Sequence, residues 1–427
     1  MKELDTDIAC IRLANTHVIS VTSPEIAREF LKKHDAVFAS SPVTMATEYS
    51  SRGFLTIAVV PWGDQWKKMR KVMASEIITA ARLRSLLDKR TEEVDNLVRF
   101  IYNQCKSNSG SSAVINLRLA ARQCTGNVIR KMLFNRSYFG EGRKDGDPGY
   151  EEVEYIESVF TVLRHLYSFI LSDYLPWLRP LDLEGHGKIV SEAMKVLNGY
   201  NDPLIDKRVK EWKDGKRKEP EDLLDAFILA KDSEGKPALS EMMFATLDNP
   251  SNAAEWAMAE MINQPEILQK ATEEIERVVG NQRWVQESDI PRLNYVKSCA
   301  REAFRIHPIS PFNLPHVSMP MPSFLATSSP KAAMFCLDGC IEEVDLTETE
   351  LRFISFSTGR RGCMGVALGS AMTVMVLARL IQGFSWRVPS NEANIDLSVS
   401  ENDLFMAKPL HAMAKPRLPG EQLYPPY

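Results

Sequence analysis

Two short alternating segments open the chain, and helical periodicity follows over most of its length. Residues 8–13 and 18–22 alternate as half-buried strands do, and Ser23 ahead of Pro24 is a typical helix N-cap. Apolar positions at helical spacing predict helices over 24–34, 62–74, 77–105, 116–133, 150–172, 187–214, 220–231, 241–264, 265–279 and 295–306. The apolar run 366–381 predicts a buried helix. The pattern therefore predicts a mainly α fold with a small β portion.

Two segments stand apart from this pattern. Residues 318–341 mix proline, serine and small residues with neither helical nor strand period, which predicts irregular structure. The basic run from Lys207 to Lys218 is typical of a solvated helix end, or of a face toward an acidic membrane surface or redox partner.

Composition narrows the class of protein without naming its chemistry. The chain has 427 residues, 44% of them hydrophobic and 25% charged, which is ordinary for a globular protein. A formal net charge of −4 gives no reason to expect a nucleic-acid partner. Seven dispersed cysteines indicate a reducing compartment. No uncharged apolar stretch of about 18 residues and no signal peptide are recognisable, so the sequence predicts no membrane span.

The most informative motif is F-x-x-G-x-R-x-C-x-G, formed by Phe356, Gly359, Arg361, Cys363 and Gly365. The first glycine permits a tight turn, and the last allows a close approach to the backbone. The cysteine precedes a predicted helix, whose free N–H groups and dipole are expected to favour a thiolate. The arginine could reach an anionic group on a cofactor. The alternative is an inert buried cysteine behind a glycine-rich turn.

This loop resembles the haem-binding loop of cytochrome P450 monooxygenases. The resemblance implies one incomplete cytochrome P450 domain over residues 1–427, with heme b as cofactor and Cys363 as the iron ligand. It also implies that Trp66 and Arg70, four residues apart on one helix face, hold the haem propionates together with Arg361 and His316. On their own, Trp66 and Arg70 fit any amphipathic helix, and a lone histidine more often has a structural role.

Glu302 and Arg305 form an E-x-x-R pair three residues apart on a predicted helix. Taken alone, this is a surface ion pair of small energetic value. The resemblance instead implies a pair behind the haem that braces the cysteine loop, completed by an arginine of a P-E-R-type motif. No such motif is recognisable in 318–341, so the triad is expected to be incomplete.

The stretch containing Asp248, Asn249 and Pro250 lies where the family's distal helix crosses the oxygen site. Proline removes a backbone N–H, so the helix should open or kink here. Most members have an acid followed by threonine, whereas this chain has Asn249 and Pro250 after the acid. At this departure, and in the segments around His307 and Trp62, the chain resembles the plant amino-acid N-monooxygenases. The resemblance covers nearly all the chain, from residue 5 to residue 418. By this resemblance Asp248 and Asn249 serve oxygen activation, and Phe312 and Asn313 face the substrate.

The resemblance implies N-hydroxylation of an amino acid to an aldoxime, in plant secondary metabolism and defence. Electrons would come from NADPH through a separate NADPH-cytochrome reductase, at the cytosolic face of the endoplasmic reticulum membrane. Three parts of the family pattern are expected to be missing: the N-terminal membrane anchor, part of the helix before Asp248, and the region at 318–341. Two alternatives therefore stay open, a non-catalytic or haem-deficient remnant and an ordinary cytochrome P450 acting on a hydrophobic small molecule.

Overall fold

Helices dominate the structure, a computed structural model that describes residues 5–50, 57–58, 60–107, 112–137, 139, 149–166, 168–230, 249–308, 315–318, 324–328, 356–400, 405–418 and 424. The helices are α1 (Pro24–Arg28), α2 (Met45–Ser50), α3 (Asp64–Val72), α4 (Ala80–Ser85), α5 (Leu87–Ser107), α6 (Leu117–Phe134), α7 (Tyr150–His165), α8 (Leu171–Tyr174), α9 (His186–Lys213), α10 (Leu223–Leu229), α11 (Asn249–Asn263), α12 (Pro265–Val278), α13 (Asn294–Ile306) and α14 (Val366–Gly383). The predicted mainly α fold with a small β portion is confirmed.

Local capping explains where several of these helices begin and end. Ser23 caps α1, accepting a hydrogen bond from the Ile26 N–H, but the predicted 24–34 helix widens into a π-helical turn at Glu29–Lys33. The predicted 77–105 helix is divided, because Thr79 caps a separate α4 by accepting from the Arg82 N–H at 3.1 Å. The 150–172 prediction was too long, since α7 ends at His165.

The strands form two small sheets. The first has the order β1 (Ile8–Leu13), β2 (Thr16–Val21), β5 (Phe324–Ser328) and β4 (His316–Val317), with β2 and β5 parallel. The second has the order β3 (Ala113–Asn116), β7 (His411–Pro416) and β6 (Phe384–Arg387), all antiparallel. The first sheet thus joins the start of the chain to the segment just before the cysteine loop.

Strand β5 corrects the prediction that residues 318–341 are irregular. Its five residues pair with β2 on one side and β4 on the other, so its conformation comes from partners far away in the sequence. Five residues between prolines and serines are too few to show a clear period of two. The rest of that segment, apart from residue 318, lies outside the described residues.

The core is centred on α11 and α14, which pack against each other and against α5, α6 and α13. Ala254, Met258, Val374 and Leu377 have no solvent exposure. Within the described residues, α14 is the one helix long and apolar enough to cross a membrane, and most of it is buried inside the protein. It is therefore a core helix, as the run 366–381 predicted, and it begins directly after the cysteine loop.

Candidate active site

The cysteine loop is a tight turn held by its own backbone. The N–H of Cys363 donates to the carbonyl of Phe356 at 2.8 Å, and that of Gly362 donates to the carbonyl of Gly359 at 3.0 Å. Gly359 has φ +68°, and a Cβ atom there would lie 2.2 Å from the carbonyl oxygen of Leu31. This position therefore requires glycine for both its conformation and its close packing.

The electrostatics of Cys363 differ from the expectation drawn from sequence. Its side chain is solvent-accessible but recessed, and burial raises the pKa of the thiol, while the Gly365 N–H and the Arg70 guanidinium partly offset that rise. The helix dipole contributes little because α14 begins only at Val366, and the effect is confined to the first turn. Burial thus disfavours the thiolate here, and a metal cation bound to the sulfur would favour it.

Two arginine side chains lie beside the loop, and both contact the ring of the same tryptophan. The guanidinium carbons of Arg70 and Arg361 lie 5.4 and 5.0 Å from the ring centroid of Trp66, which is buried. Arg70 Nη1 donates to the carbonyl of Gly362 at 2.8 Å. Arg361 donates through Nε to the carbonyl of Ala39 at 2.5 Å and through Nη2 to that of Val60 at 2.8 Å. Both arginines therefore fix the loop as well as placing positive charge beside it.

His316 lies in the same neighbourhood, on β4. Its Nδ1 donates to the carbonyl of Phe38 at 2.7 Å, which fixes the tautomer of a neutral ring. Burial, and then the nearby charge of Arg361, lower its pKa. His316 is thus near the predicted propionate residues, with one ring nitrogen already committed to the backbone.

These residues fit a haem in the chemistry of their donors. Cys363 offers an accessible sulfur in a recess whose neighbour Gly365 has no side chain, and its Cβ position would lie 3.8 Å from the sulfur. Two guanidinium groups and an indole stand beside the sulfur, where carboxylates of the same ligand would be neutralised. The sequence prediction that Trp66, Arg70, Arg361 and Cys363 come together is matched by this arrangement.

Behind the loop, the predicted Glu302–Arg305 pair is formed on α13. Arg305 donates through Nε and Nη2 to the two carboxylate oxygens of Glu302 at 2.8 and 2.6 Å, and both side chains are mostly buried. The next side chain inward, Phe304, contacts Phe356 of the loop edge to face, with ring centroids 5.3 Å apart. The pair therefore lies on the helix that supports the cysteine loop. The triad was expected to be incomplete, and most of residues 318–341, where the P-E-R-type motif was not recognisable, lies outside the described residues.

The distal side is described only in part. Asn249 is the first residue of α11 and is exposed, while Pro250 directly after it is buried. Pro250 is helical, and residues 231–248 before it lie outside the described residues, so the predicted kink stays a prediction. Asp248, Phe312 and Asn313 also lie outside the described residues.

One set of anchoring residues was not found from the sequence. Asp35 accepts from the Arg360 backbone N–H at 3.2 Å and from its guanidinium, and Leu31 packs against Gly359. Ser40 bridges to Val317 of β4. These contacts join residues about 300 positions apart, and no local motif marks them. The short segment after α1 is therefore as much a part of the site as the cysteine loop.

The sequence matches the cytochrome P450 family over residues 2–321 and 342–415. It is 58% identical to a phenylalanine N-monooxygenase of Arabidopsis thaliana, over 100% of this chain and 87% of that protein. It is 52% identical to valine N-monooxygenase 1 of Manihot esculenta (100% and 83% covered) and 49% identical to a tyrosine N-monooxygenase of Sorghum bicolor (100% and 82%).

Among solved structures, a zebra fish cytochrome P450 with abiraterone superimposes with a TM-score of 0.73, covering 97% of this chain and 98% of that one. At 20% identity this likeness concerns the fold alone. The family match, the sequence identities and the cysteine loop agree with one another, and the chain belongs to the cytochrome P450 family.

Proposed function

We propose that this protein is a haem-thiolate monooxygenase that N-hydroxylates an amino acid to an aldoxime. The observation that carries the proposal is the 58% identity to a phenylalanine N-monooxygenase along the whole chain. The assembled cysteine loop supports it, because the loop, its two arginines and the Glu302–Arg305 pair are all formed. The whole chain, 1–427, acts as a single domain.

When bound, heme b activates O2 with electrons supplied by a reductase, and the protein positions the cofactor and the substrate around it. Cys363 would ligate its iron. Trp66 Nε1, the guanidinium groups of Arg70 and Arg361, and His316 would hold its propionates, with the His316 ring oriented by its hydrogen bond to Phe38.

Four further residues complete the proposed reaction site. Asp248 and Asn249 deliver protons at the distal side. Phe312 and Asn313 face the amino acid. These assignments rest on the resemblance and on positions in sequence: Asn249 at the start of the described part of α11 with Asp248 directly before it, and Phe312 and Asn313 after α13, which ends at Ile306.

The remnant alternative rests on missing sequence. The alignment with the Arabidopsis protein spans 459 positions, more than the 427 residues of this chain, so that relative has residues which this chain lacks. The family match also breaks between residues 321 and 342. Against a remnant stands the site itself, where the backbone hydrogen bonds of the loop and the contacts of Arg70 and Arg361 are formed. Asn249 and Pro250, in place of the usual threonine region, disfavour a general hydroxylase on hydrophobic molecules.

The first experiment measures the carbon-monoxide difference spectrum of the reduced, haem-supplied protein. A strongly red-shifted Soret band is expected, because Cys363 would ligate the iron. The same preparation is then incubated with phenylalanine, tyrosine, tryptophan, valine, isoleucine or methionine, NADPH and a reductase. An aldoxime from at least one amino acid is expected. An unshifted Soret band, or a shifted band with no oxime from any amino acid, would rule the proposal out.

A redox partner is required by any monooxygenase of this family, and we propose that it is an NADPH-cytochrome reductase at the endoplasmic reticulum. The family is generally membrane-associated. The segment between α7 and α9 exposes Phe169, Trp177, Leu181 and Leu183, each more than 60% accessible. Four large apolar side chains so close in sequence are typical of a surface that meets lipid.

Vesicle flotation tests this location. Replacement of Trp177, Leu181 and Leu183 by serine is expected to reduce binding to phosphatidylcholine–phosphatidylserine vesicles by about tenfold or more, from lost apolar burial. The matched control replaces Val114 and Val399, exposed apolar residues on other elements. Equal flotation of both variants would argue against a lipid-facing role for the segment between α7 and α9.

A further inference from the structure

A buried contact between His307, Glu260 and Trp256, called here the polar joint, connects the distal helix α11 to α13, the helix behind the cysteine loop. His307, the C-cap residue of α13, has its Nε2 2.8 Å from Oε1 of Glu260 on α11. Its ring stacks flat on Trp256, with centroids 3.7 Å apart and 5° between the planes. The side chains of His307 and Glu260 are about nine-tenths buried, and Trp256 is 1% exposed.

The geometry of α11 places this joint on the face that carries Asn249. Trp256 and Glu260 are seven and eleven residues after Asn249, which is close to two and three turns of an α helix. All three side chains therefore project from nearly the same side. Trp256 lies roughly 10 Å along the axis from Asn249.

The other side of the joint leads to the proximal loop. His307 follows Glu302 and Arg305 on the same helix, and Phe304 of that helix contacts Phe356. Helix α13 thus packs against α11 on one side and contacts the loop of Cys363 through Phe304 on the other.

A hydrogen bond combined with a stacked ring constrains this contact in two directions. The bond to Glu260 and the stacking on Trp256, one turn apart on α11, together restrict how this helix can slide or rotate against α13. A purely apolar contact of the same area would fix neither, because dispersion forces have little directionality.

We propose that His307 is a positioning residue that sets the register of α11 over Cys363, and with it the height of the space in which the substrate meets the cofactor. The inference rests on the proposed function for its consequence, which is efficient transfer of electrons into product. It does not depend on which amino acid is the substrate.

Two azoles of different size probe the distal space without any turnover. The affinities of imidazole and 1-phenylimidazole are measured by optical titration of the haem-loaded enzyme. His307→Phe retains an aromatic ring against Trp256 but loses the hydrogen bond. In this variant the affinity for 1-phenylimidazole divided by that for imidazole is expected to be about fivefold higher than in the wild type. That factor corresponds to the loss of about one hydrogen bond. His307→Gln, whose amide N–H can reach Glu260, is expected to stay within about twofold.

A matched control separates positioning from general destabilisation. Arg90 is 3% exposed and makes a bidentate pair with Glu287, and neither residue belongs to α11 or α13. Arg90→Gln is expected to lower the unfolding temperature while leaving the azole ratio unchanged. If His307→Phe takes up no haem, Trp256→Phe replaces it, with a shift of about twofold in the same direction expected from the reduced stacking.

The outcomes separate this inference from the proposed function. An unchanged azole ratio in His307→Phe, or an equal change in Arg90→Gln, overturns the positioning role even if the wild type makes an aldoxime. A changed ratio with rescue by His307→Gln supports that role even if no amino acid is oxidised. With an active enzyme, peroxide released per NADPH consumed should rise in His307→Phe and return toward wild type in His307→Gln.

Discussion

At the residue scale, the turn at Gly359 is the most demanding position of the site. It combines φ +68° with a Cβ position 2.2 Å from the Leu31 carbonyl oxygen, so a side chain would meet two separate obstacles. The motif in the sequence identified the first obstacle, since glycine is favoured in tight turns. The second arises from Leu31 in the π-helical turn after α1, more than 300 residues away, and no local pattern encodes it.

Gly359→Ala is therefore expected to destabilise the protein by at least about 3 kcal/mol and to abolish the red-shifted carbon-monoxide spectrum. Gly215 is a close control, because its φ is +67° and nothing lies within 4 Å of its Cβ position. Gly215→Ala should cost only about 1 kcal/mol, the conformational part. Urea unfolding and haem content measure both variants. Equal losses would show that packing against Leu31 is unimportant.

Asp289 is a second residue whose environment matters, because it determines how the stability of the protein depends on pH. It is 1% exposed, and the hydrogen bonds from Arg283 at 2.6 and 2.9 Å lower its pKa to about 2. Because its pKa is depressed in the folded state, its stabilisation is present above the unfolded pKa of about 4. That stabilisation is lost as pH falls from about 4 to about 2.

The stabilisation by Asp289 amounts to about 1 kcal/mol, since Arg283 is nearly half exposed and the interaction is screened. Urea midpoints of the wild type should therefore fall more steeply between about pH 4 and about pH 2 than those of Asp289→Asn. Asp64→Asn, at a fully exposed carboxylate, should follow the wild type. Parallel slopes for wild type and Asp289→Asn would contradict this assignment.

At the element scale, the junction between α9 and α10 shows where charge patterns mislead. The run from Lys207 to Lys218 was interpreted as a solvated helix end, and for Arg208 this was wrong. Arg208 is 9% exposed and donates to Asp222 and Asp225, which are fully buried. The acidic partners lie beyond the turn, so the sequence shows the charges but not that the turn brings them together.

Arg208→Leu should cost about 3–5 kcal/mol, because it leaves buried carboxylates with fewer cationic partners. The adjacent Lys207, which makes only an exposed contact with Glu211 at 4.0 Å, is the control. Lys207→Ala should change stability by less than about 0.5 kcal/mol. Urea unfolding of both variants provides the comparison, and a small effect of Arg208→Leu would mean that the carboxylates are stabilised by other groups.

Helix periodicity was the most reliable signal at this scale. Helix α9 was predicted within one residue at each end, despite Pro203 in its interior. Glycines with positive φ beside each end, Gly185 and Gly215, mark the chain reversals and explain that accuracy. Strand β5 was missed because its pairing depends on β2 and β4, and the π-helical turns after α1 and α3 leave no signature in the spacing of apolar residues.

At the scale of the whole molecule, the buried helix α11 is connected by polar side-chain contacts to several distant segments of the chain. Glu255 accepts hydrogen bonds from Arg118 of α6 and from the Leu410 backbone N–H. The side-chain amide of Asn263 donates to the carbonyl of Ile395 and accepts from its N–H. With the joint at His307, these contacts hold the C-terminal segment and α13 to one helix. The sequence predicted the helix, but it gave no reason to connect its polar residues to those segments.

The unequal burial of the core and the first sheet predicts unequal stability across the molecule. Helices α11 and α14 belong to one large apolar cluster, whereas the cluster beside β2 contains three buried residues, Val21, Ala27 and Leu31, and β1 is mostly exposed. Amide hydrogens of 253–262 and 372–381 should therefore exchange only through global unfolding, and those of β1 through local opening.

Hydrogen-exchange mass spectrometry in low urea measures this difference. The exchange free energies of the helical peptides should fall with urea as steeply as global unfolding does, while those of β1 should be nearly independent of it. Haem uptake should then slow exchange at residues 31–40, because Arg360 and Arg361 join that segment to the cysteine loop. No slowing there, in protein with a red-shifted spectrum, would mean that the N-terminal segment is not coupled to the cofactor site.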